Sequence, residues 1–140
     1  ENLGVAAWMG TLFFMIGLWF ETVADIQLTR FRDNPKNQTA VLRSGLWKFS
    51  RHPNYFGELC IWWGIFLVAC DNLAGCLTIA GPIVYTYLLI NVTGQRTLEK
   101  RLLARRPDYA EYIETTSGII PRPKKRNIRQ PETQFKPDSE

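Results

Sequence analysis

Residues 45–70 read GLWKFSRHPNYFGELCIWWGIFLVAC. The first eight carry two cations, Lys48 and Arg51, and the chain's only histidine, His52. From about Tyr55 to Cys70 the run is almost purely apolar, yet Asn54 and Glu58 stand at its start. A bilayer core takes roughly 20 apolar residues of helix, so the stretch reads as a helix entering a membrane with polar groups at its mouth. Two further apolar blocks flank it: Leu3–Phe20, LGVAAWMGTLFFMIGLWF, without a charge, and Leu73–Val92. The mean hydropathy of -0.15 hides these blocks, because the polar loop 21–54 and the polar tail 121–140 offset them. The expected fold is all-α, a polytopic membrane helical bundle of about three transmembrane helices plus a C-terminal amphipathic helix. The alternative is a soluble bundle of buried helices, which charge-free blocks of this length disfavour.

Residues 1–120 are expected to form one membrane-embedded unit. The first block is longer than a signal-peptide core and has no basic region before it. It reads as a true span in a chain cut from a longer one. Loop 21–54 carries Arg30, Arg32, Lys36, Arg43, Lys48 and Arg51, whereas the segment before Phe20 and the turn Asp71-Asn72 carry no Lys or Arg. By the positive-inside rule, loop 21–54 and the C-terminus share the cytosolic side, and blocks two and three form a hairpin. The sequons at Asn37 and Asn91 then face the cytosol and stay unused. Cys60, Cys70 and Cys76 lie in or beside apolar blocks at a spacing that matches no metal or redox motif. No metal site is expected.

After the third block, QRTLEKRLLARRP (95–107) reads as an amphipathic helix with Leu98, Leu102 and Leu103 on one stripe. Pro107 ends it, and Asp108 is placed to cap a short helix bearing Tyr109, Tyr112 and Ile113. Residues 121–140 read as a basic, disordered cytosolic tail.

Glu21 and Asp25 are four apart at the end of the first block, and Asn54 and Glu58 are four apart at the start of the second. At helical spacing each pair shares a face, and both pairs lie at the same membrane boundary. Ionisable groups at that depth face a cavity or a partner. The plain reading is snorkelling and interfacial ion pairs, for example Arg51 with Glu58. The functional reading is a site for a ligand with phosphates, which suit arginine's planar fork, and with hydroxyl or amine groups, which suit the carboxylates and Asn54. Trp47, Phe49, Tyr55, Trp62 and Trp63 could bound a flat or lipidic molecule. There is no glycine-rich dinucleotide fingerprint or P-loop.

GLWKFSRHPNYFGE followed by an apolar helix, ETVADIQLTRF before it and LEKRLLARRPDYAEYIETTSGIIPRPKK after it resemble, in this order, the C-terminal domain of the steroid 5-alpha-reductase family. The resemblance spans roughly residues 15–125. It implies an integral-membrane enzyme that uses NADPH to reduce a carbon–carbon double bond of a lipid or steroid-like enone. Carried over by position, Asp25, Arg43, Asn54, Tyr55 and Glu58 are cofactor contacts. Arg51 and His52 are phosphate or structural neighbours, and Arg96, Glu99 and Tyr112 are further candidates. Glu21 stands where the family has Asn. The family's catalytic acid and tyrosine lie in preceding helices, which leaves Tyr55 as a local candidate proton donor.

The Arg-His-Pro-x-Tyr core is also similar to the isoprenylcysteine carboxyl methyltransferases and phospholipid methyltransferases, so an S-adenosylmethionine-dependent methyltransferase is the alternative. A non-enzymatic membrane scaffold is the third reading. The expected partners are the lipid substrate and the membrane, with no nucleic acid, and a eukaryotic chain would reside in the endoplasmic reticulum.

Overall fold

The computed structural model describes residues 3–92 and 94–125. Residues 126–140 of the expected tail lie outside the described residues. Helix α1 (Val5–Arg32) is the longest, at 28 residues, or about 42 Å at 1.5 Å per residue. It continues twelve residues past the apolar block that ends at Phe20. Beyond that point Ala24, Leu28 and Phe31 recur at helical spacing and pack on Leu42, Leu46 and Trp47 of the following loop. The Trp47 indole N–H closes this contact by donating to the Ala24 carbonyl at 3.2 Å.

Helix α2 (Pro53–Ala69) starts with proline at a first-turn position, where the missing N–H is not needed and φ is already helical. It lies antiparallel along α1. Gly10 meets Gly64, and two turns on Gly17 meets Gly57. A Cβ on Gly10 would stand 2.5 Å from the Gly64 oxygen, and one on Gly17 would stand 2.5 Å from the Gly57 oxygen. Side-chain-free positions let two backbones touch, a favoured way to pair helices in lipid. At the far end of this pair the Asp71 carboxylate accepts from the Gly4 N–H at 3.0 Å.

The third block does not form one regular helix. A 3-10 segment (Leu73–Ile79) precedes α3 (Ala80–Asn91). Asn72 caps the segment by accepting from the Ala74 N–H. Pro82 lacks an N–H to give to the preceding turn, so the α-helix begins just ahead of it. Helix α4 (Gln95–Arg105) and helix α5 (Tyr109–Thr115) follow, as the sequence predicts. Asp108 does occupy the N-cap of α5, but its side chain makes no capping bond.

This is a membrane helical bundle. Two stretches are long and apolar enough to cross a bilayer: Val5–Arg32, with mean hydropathy 1.4, and Leu73–Arg105, with mean hydropathy 1.8. Only 17% and 11% of their apolar windows are buried inside the protein, whereas a core helix of a soluble protein would be mostly covered. Trp8, Leu12, Trp19, Leu77 and Tyr87 all stand exposed. Helix α2 has 17 residues, about 25 Å, and lies against α1.

Candidate functional site

At the charged end of the bundle, three consecutive residues fasten the C-terminal segment. Ser50 Oγ donates to the carbonyls of Gly118 and Ile119, at 3.0 and 2.7 Å. The Arg51 and His52 N–H groups donate to Ser117 and Gly118, at 2.8 and 3.0 Å. Ser50 and Ser117 thereby form an isolated parallel bridge. The Arg51 guanidinium, 8% exposed, reaches in the same direction. It donates to the Ile113 and Thr116 carbonyls and takes the Glu99 carboxylate through Nε at 2.9 Å and Nη2 at 3.3 Å. His52 Nε2 lies 2.9 Å from the same Glu99 oxygen. The Tyr112 hydroxyl completes the clasp by donating to the Trp47 and Ser50 carbonyls.

The expected Arg51–Glu58 pair is therefore not made. Arg51 pairs with Glu99, 48 residues away in sequence, and Glu58 receives the Tyr85 hydroxyl. Burial pushes the Glu99 carboxyl up, but the hydrogen bonds from His52 and Arg51 outweigh it and hold the group below the usual carboxylate value. The ionised carboxylate can only accept, so His52 Nε2 carries the donated proton. Burial pushes the Tyr109 and Tyr112 phenols up, keeping them neutral donors.

Beside the clasp a cleft opens between the end of α1, the start of α2 and α4. Its polar lobe, about 730 Å³ of empty space, is lined by Asp25, Thr29, Arg32, His52, Asn54 and Tyr55. Its apolar lobe, about 740 Å³, is walled by Leu28, Phe31, Val41, Leu42 and Leu102, with Arg32, Arg51, Arg106 and Tyr112 at its edges. Leu28, Arg32, Trp47, His52 and Leu98 border both lobes. Asn54 Nδ2 donates to Asp25 Oδ1 at 3.1 Å. That bond fixes the amide's orientation, because a carboxylate offers no proton, and it turns Oδ1 the other way. Among the described residues Asn54 Oδ1 is buried with no hydrogen-bond partner, an arrangement that costs free energy unless a donor reaches it. Tyr55 stacks on His52 with ring centroids 5.0 Å apart and planes 6° apart. Arg106 donates to the carbonyls of Gln38 and Ala40 and so holds the loop that forms one wall.

The cleft and most of the clasp lie in a stretch that matches a known family. The family is described as "Protein of unknown function (DUF1295)", is steroid 5-alpha-reductase-like, and matches residues 1–116. The chain belongs to this family. A curated relative is the steroid 5-alpha-reductase DET2 of Gossypium hirsutum, 32% identical over 76 residues. That match covers 46% of this chain and 30% of the relative. No solved structure matches the chain.

For this DUF1295 chain the ten sequence-predicted site residues separate into groups. Asp25, His52, Asn54 and Tyr55 line the polar lobe, and Arg51 and Tyr112 border the apolar one. Glu99 is held in the clasp. Glu58 sits a turn deeper on α2 with Tyr85. Arg43 stands apart from the cleft. It donates to Glu111 at 2.8 Å and to the Asp108 carbonyl at 2.7 Å, and borders a small recess with Lys48 and Lys124. Its guanidinium holds the exposed Glu111 carboxyl below the usual value. Arg96 is exposed on α4 and lines neither lobe. Residues 121–125, expected to begin the free tail, are partly tied back: the Arg122 N–H donates to Phe49 and the Lys125 N–H to Thr115. Among the described residues there is no cluster that could hold a metal.

Arg32, in sequence a topology charge, and Thr29 also line the polar lobe. The signal was available, since Asp25, Thr29 and Arg32 recur at i, i+4 and i+7 on one helix face. It went unread because α1 was expected to end near Phe20.

Proposed function

We propose that the protein is a membrane oxidoreductase. In this reading it binds NADPH in the cleft, on the cytosolic side, and reduces a carbon–carbon double bond conjugated to a carbonyl in a lipid or steroid-like substrate. The family membership and the similarity to a steroid 5-alpha-reductase support a reductase. The observation that carries the cofactor assignment is the polar lobe of the cleft, where Asp25, Thr29, Asn54 and Tyr55 stand with Arg32 and His52. A nicotinamide dinucleotide has amide, amine and hydroxyl groups to meet the carboxylate, amide and hydroxyls, and phosphates to meet the cations.

Asp25 orients Asn54. Arg32 is exposed, borders both lobes and enters none of the ion pairs found among the described residues, so it is the cation placed to hold a phosphate, with Arg106 on the opposite wall. Tyr55 and Trp47 offer flat faces, and Leu28, Leu98 and Leu102 keep water from the inner lobe. NADPH, when bound, supplies the hydride. The clasp keeps α4, and with it one wall of the cleft, in place.

Thermal stabilisation by NADPH tests the assignment, since a ligand that binds the folded state raises its stability. Wild-type protein gains stability with NADPH, and Asn54→Leu folds but loses most of that gain. Equal stabilisation of both proteins refutes the role of Asn54.

One observation favours a second reading. Arg51 and Arg43 both spend their donors on partners within the protein. A cofactor without phosphate, S-adenosylmethionine, would ask for fewer free cations, and its stabilising effect in the same assay would support methyl transfer.

A further inference from the structure

The far end of α2, away from the clasp, holds two thiols that the cleft does not use. We propose that Cys70 and Cys76 form a disulfide on the non-cytosolic side of the membrane and so staple the third apolar block to the end of α2. The pairing does not depend on the cofactor reading above.

Cys70 is the C-cap of α2, and Cys76 lies in the 3-10 segment that follows. Both are half-buried, and both are free thiols. The turn between them is tight. The Asp71 N–H donates to the Val68 carbonyl, the Asn72 N–H to Ala69 and the Gly75 N–H to Asn72. The chain thereby folds back on the end of α2, so closely that Gly75 has no room for a side chain beside the Ala69 carbonyl. The residues that follow Ala69 and Gly75 are Cys70 and Cys76, and their side chains meet. Cys76 Sγ lies 3.9 Å from the Cys70 carbonyl oxygen, and the two thiols hydrogen-bond each other. A disulfide needs Cα atoms about 4.4–6.8 Å apart. Positions six apart on a continuous α-helix are about 9 Å apart along its axis, so the break in the third block is what lets this pair close. Cys60 stands about 15 Å back along α2 and is buried, so it does not compete.

Between Arg51 and Arg96 the chain carries no Lys or Arg, and none precedes Arg30. The end of the bundle where Asp71 accepts from the Gly4 N–H is therefore its cation-free end. The positive-inside rule sends that end away from the cytosol, toward a compartment where disulfides persist. Without a cation nearby neither thiolate is stabilised, which suits a lasting structural bond rather than an exchanging catalytic pair. The oxidant is a disulfide carrier of that compartment, a thiol–disulfide oxidoreductase or oxidised glutathione. One cysteine thiolate attacks a carrier sulfur, and the carrier's other sulfur leaves as a thiol. The second cysteine then attacks the sulfur of the first, the Cys70–Cys76 bond forms, and the remaining carrier sulfur leaves as a thiol. The protein thiols lose two electrons and two protons, and the carrier gains them.

The test is thiol counting on the full-length chain. Expressing cells are quenched with N-ethylmaleimide in denaturant, and the protein is digested with chymotrypsin and analysed by mass spectrometry before and after reduction with a phosphine. Cys60 should be alkylated in both samples. Cys70 and Cys76 should be alkylated only after reduction, and before it should be joined in one species lighter by two hydrogens than the thiol forms. The reduced, detergent-purified protein should close the same bond with oxidised glutathione. Reducing the closed form should lower Tm by roughly 5–10 °C, whereas in Cys76→Ala reductant should leave Tm unmoved and Cys70 should alkylate without it. Alkylation of Cys70 and Cys76 before reduction in the cell sample overturns the proposal, even where glutathione closes the pair in the purified protein. A bond from either residue to Cys60 or to a second chain overturns it too. A wild-type Tm that reduction leaves unchanged removes the stapling role. The wild-type count stands whether or not Cys76→Ala folds.

Discussion

Replacing Glu99 with Gln removes one negative charge from the centre of the clasp while keeping its shape. The carboxylate accepts from Arg51 Nε, Arg51 Nη2 and His52 Nε2, and the Arg51 and Glu99 side chains are only 9% and 13% exposed. Hydrogen bonds to a charged group are worth about 1.5–3 kcal/mol each and neutral ones about 1. Removing one partner of a buried pair costs about 3–5 kcal/mol when nothing replaces it. The Gln oxygen retains part of the contact, so the loss should be about 2–4 kcal/mol. For a chain of this size 1 kcal/mol moves Tm by roughly 4 °C, which gives a fall of roughly 8–16 °C in detergent. Hydrogen exchange at the Arg51 and His52 amides, which donate to Ser117 and Gly118, should quicken in the same variant. The pH dependence follows from the lowered Glu99 pKa. The stabilisation is fully present above the unfolded value near 4.5 and is lost as pH falls below it, so wild type should lose more stability on acidification than Glu99→Gln. A Tm within 2 °C of wild type, with unchanged exchange at both amides, would refute the clasp as the element that fastens the C-terminal segment.

Arg32→Ala should weaken NADPH about 10–100-fold, the loss of one charged hydrogen bond, whereas Arg43→Ala should leave the affinity near wild type. The Arg43–Glu111 pair is 31% and 45% exposed, so its removal should cost under about 1 kcal/mol; titration of each variant reads both effects. Gly17→Leu and Gly57→Leu should separate α1 from α2, because each added Cβ would meet backbone at 2.5 Å, and should lower Tm or yield sharply. Gly81→Leu, which enters open space, should not. Cysteine placed at Asn72 should react with a membrane-impermeant maleimide only from the non-cytosolic face, and cysteine at Gln38 only from the cytosolic face. The reverse pattern would invert the topology.

How far the fold was legible depended on how local each signal was. The amphipathic α4 and the short α5 each carry their own pattern, with Pro107 as the stop signal between them, and they form where expected. The end of α1 was less visible because its last twelve residues are held by a contact across the loop, Ala24, Leu28 and Phe31 on Trp47, rather than by lipid. The break at Leu73–Ile79 was marked by Pro82 and passed over within an apolar run. In the site, Asp25 and Asn54 could be placed on one boundary by four-residue spacing, and the structure joins them by a hydrogen bond. The partner of Arg51 could not be read. Glu58 is seven residues away and Glu99 forty-eight, and only the return of α4 over the head of α2 brings the second within reach. Arg43 shows the converse. A basic residue in a polar loop looks free in sequence, and here it holds α5 through Glu111 and the Asp108 carbonyl.

The most direct test of the NADPH cleft is thermal unfolding of the full-length, detergent-purified protein with NADPH, NADH or S-adenosylmethionine at equal concentration. At 100-fold excess over its dissociation constant a ligand adds about 2.7 kcal/mol, and NADPH should give a shift of that size. NADH should give a smaller one and S-adenosylmethionine none. Stabilisation by S-adenosylmethionine, or by none of the three, would contradict the reductase assignment.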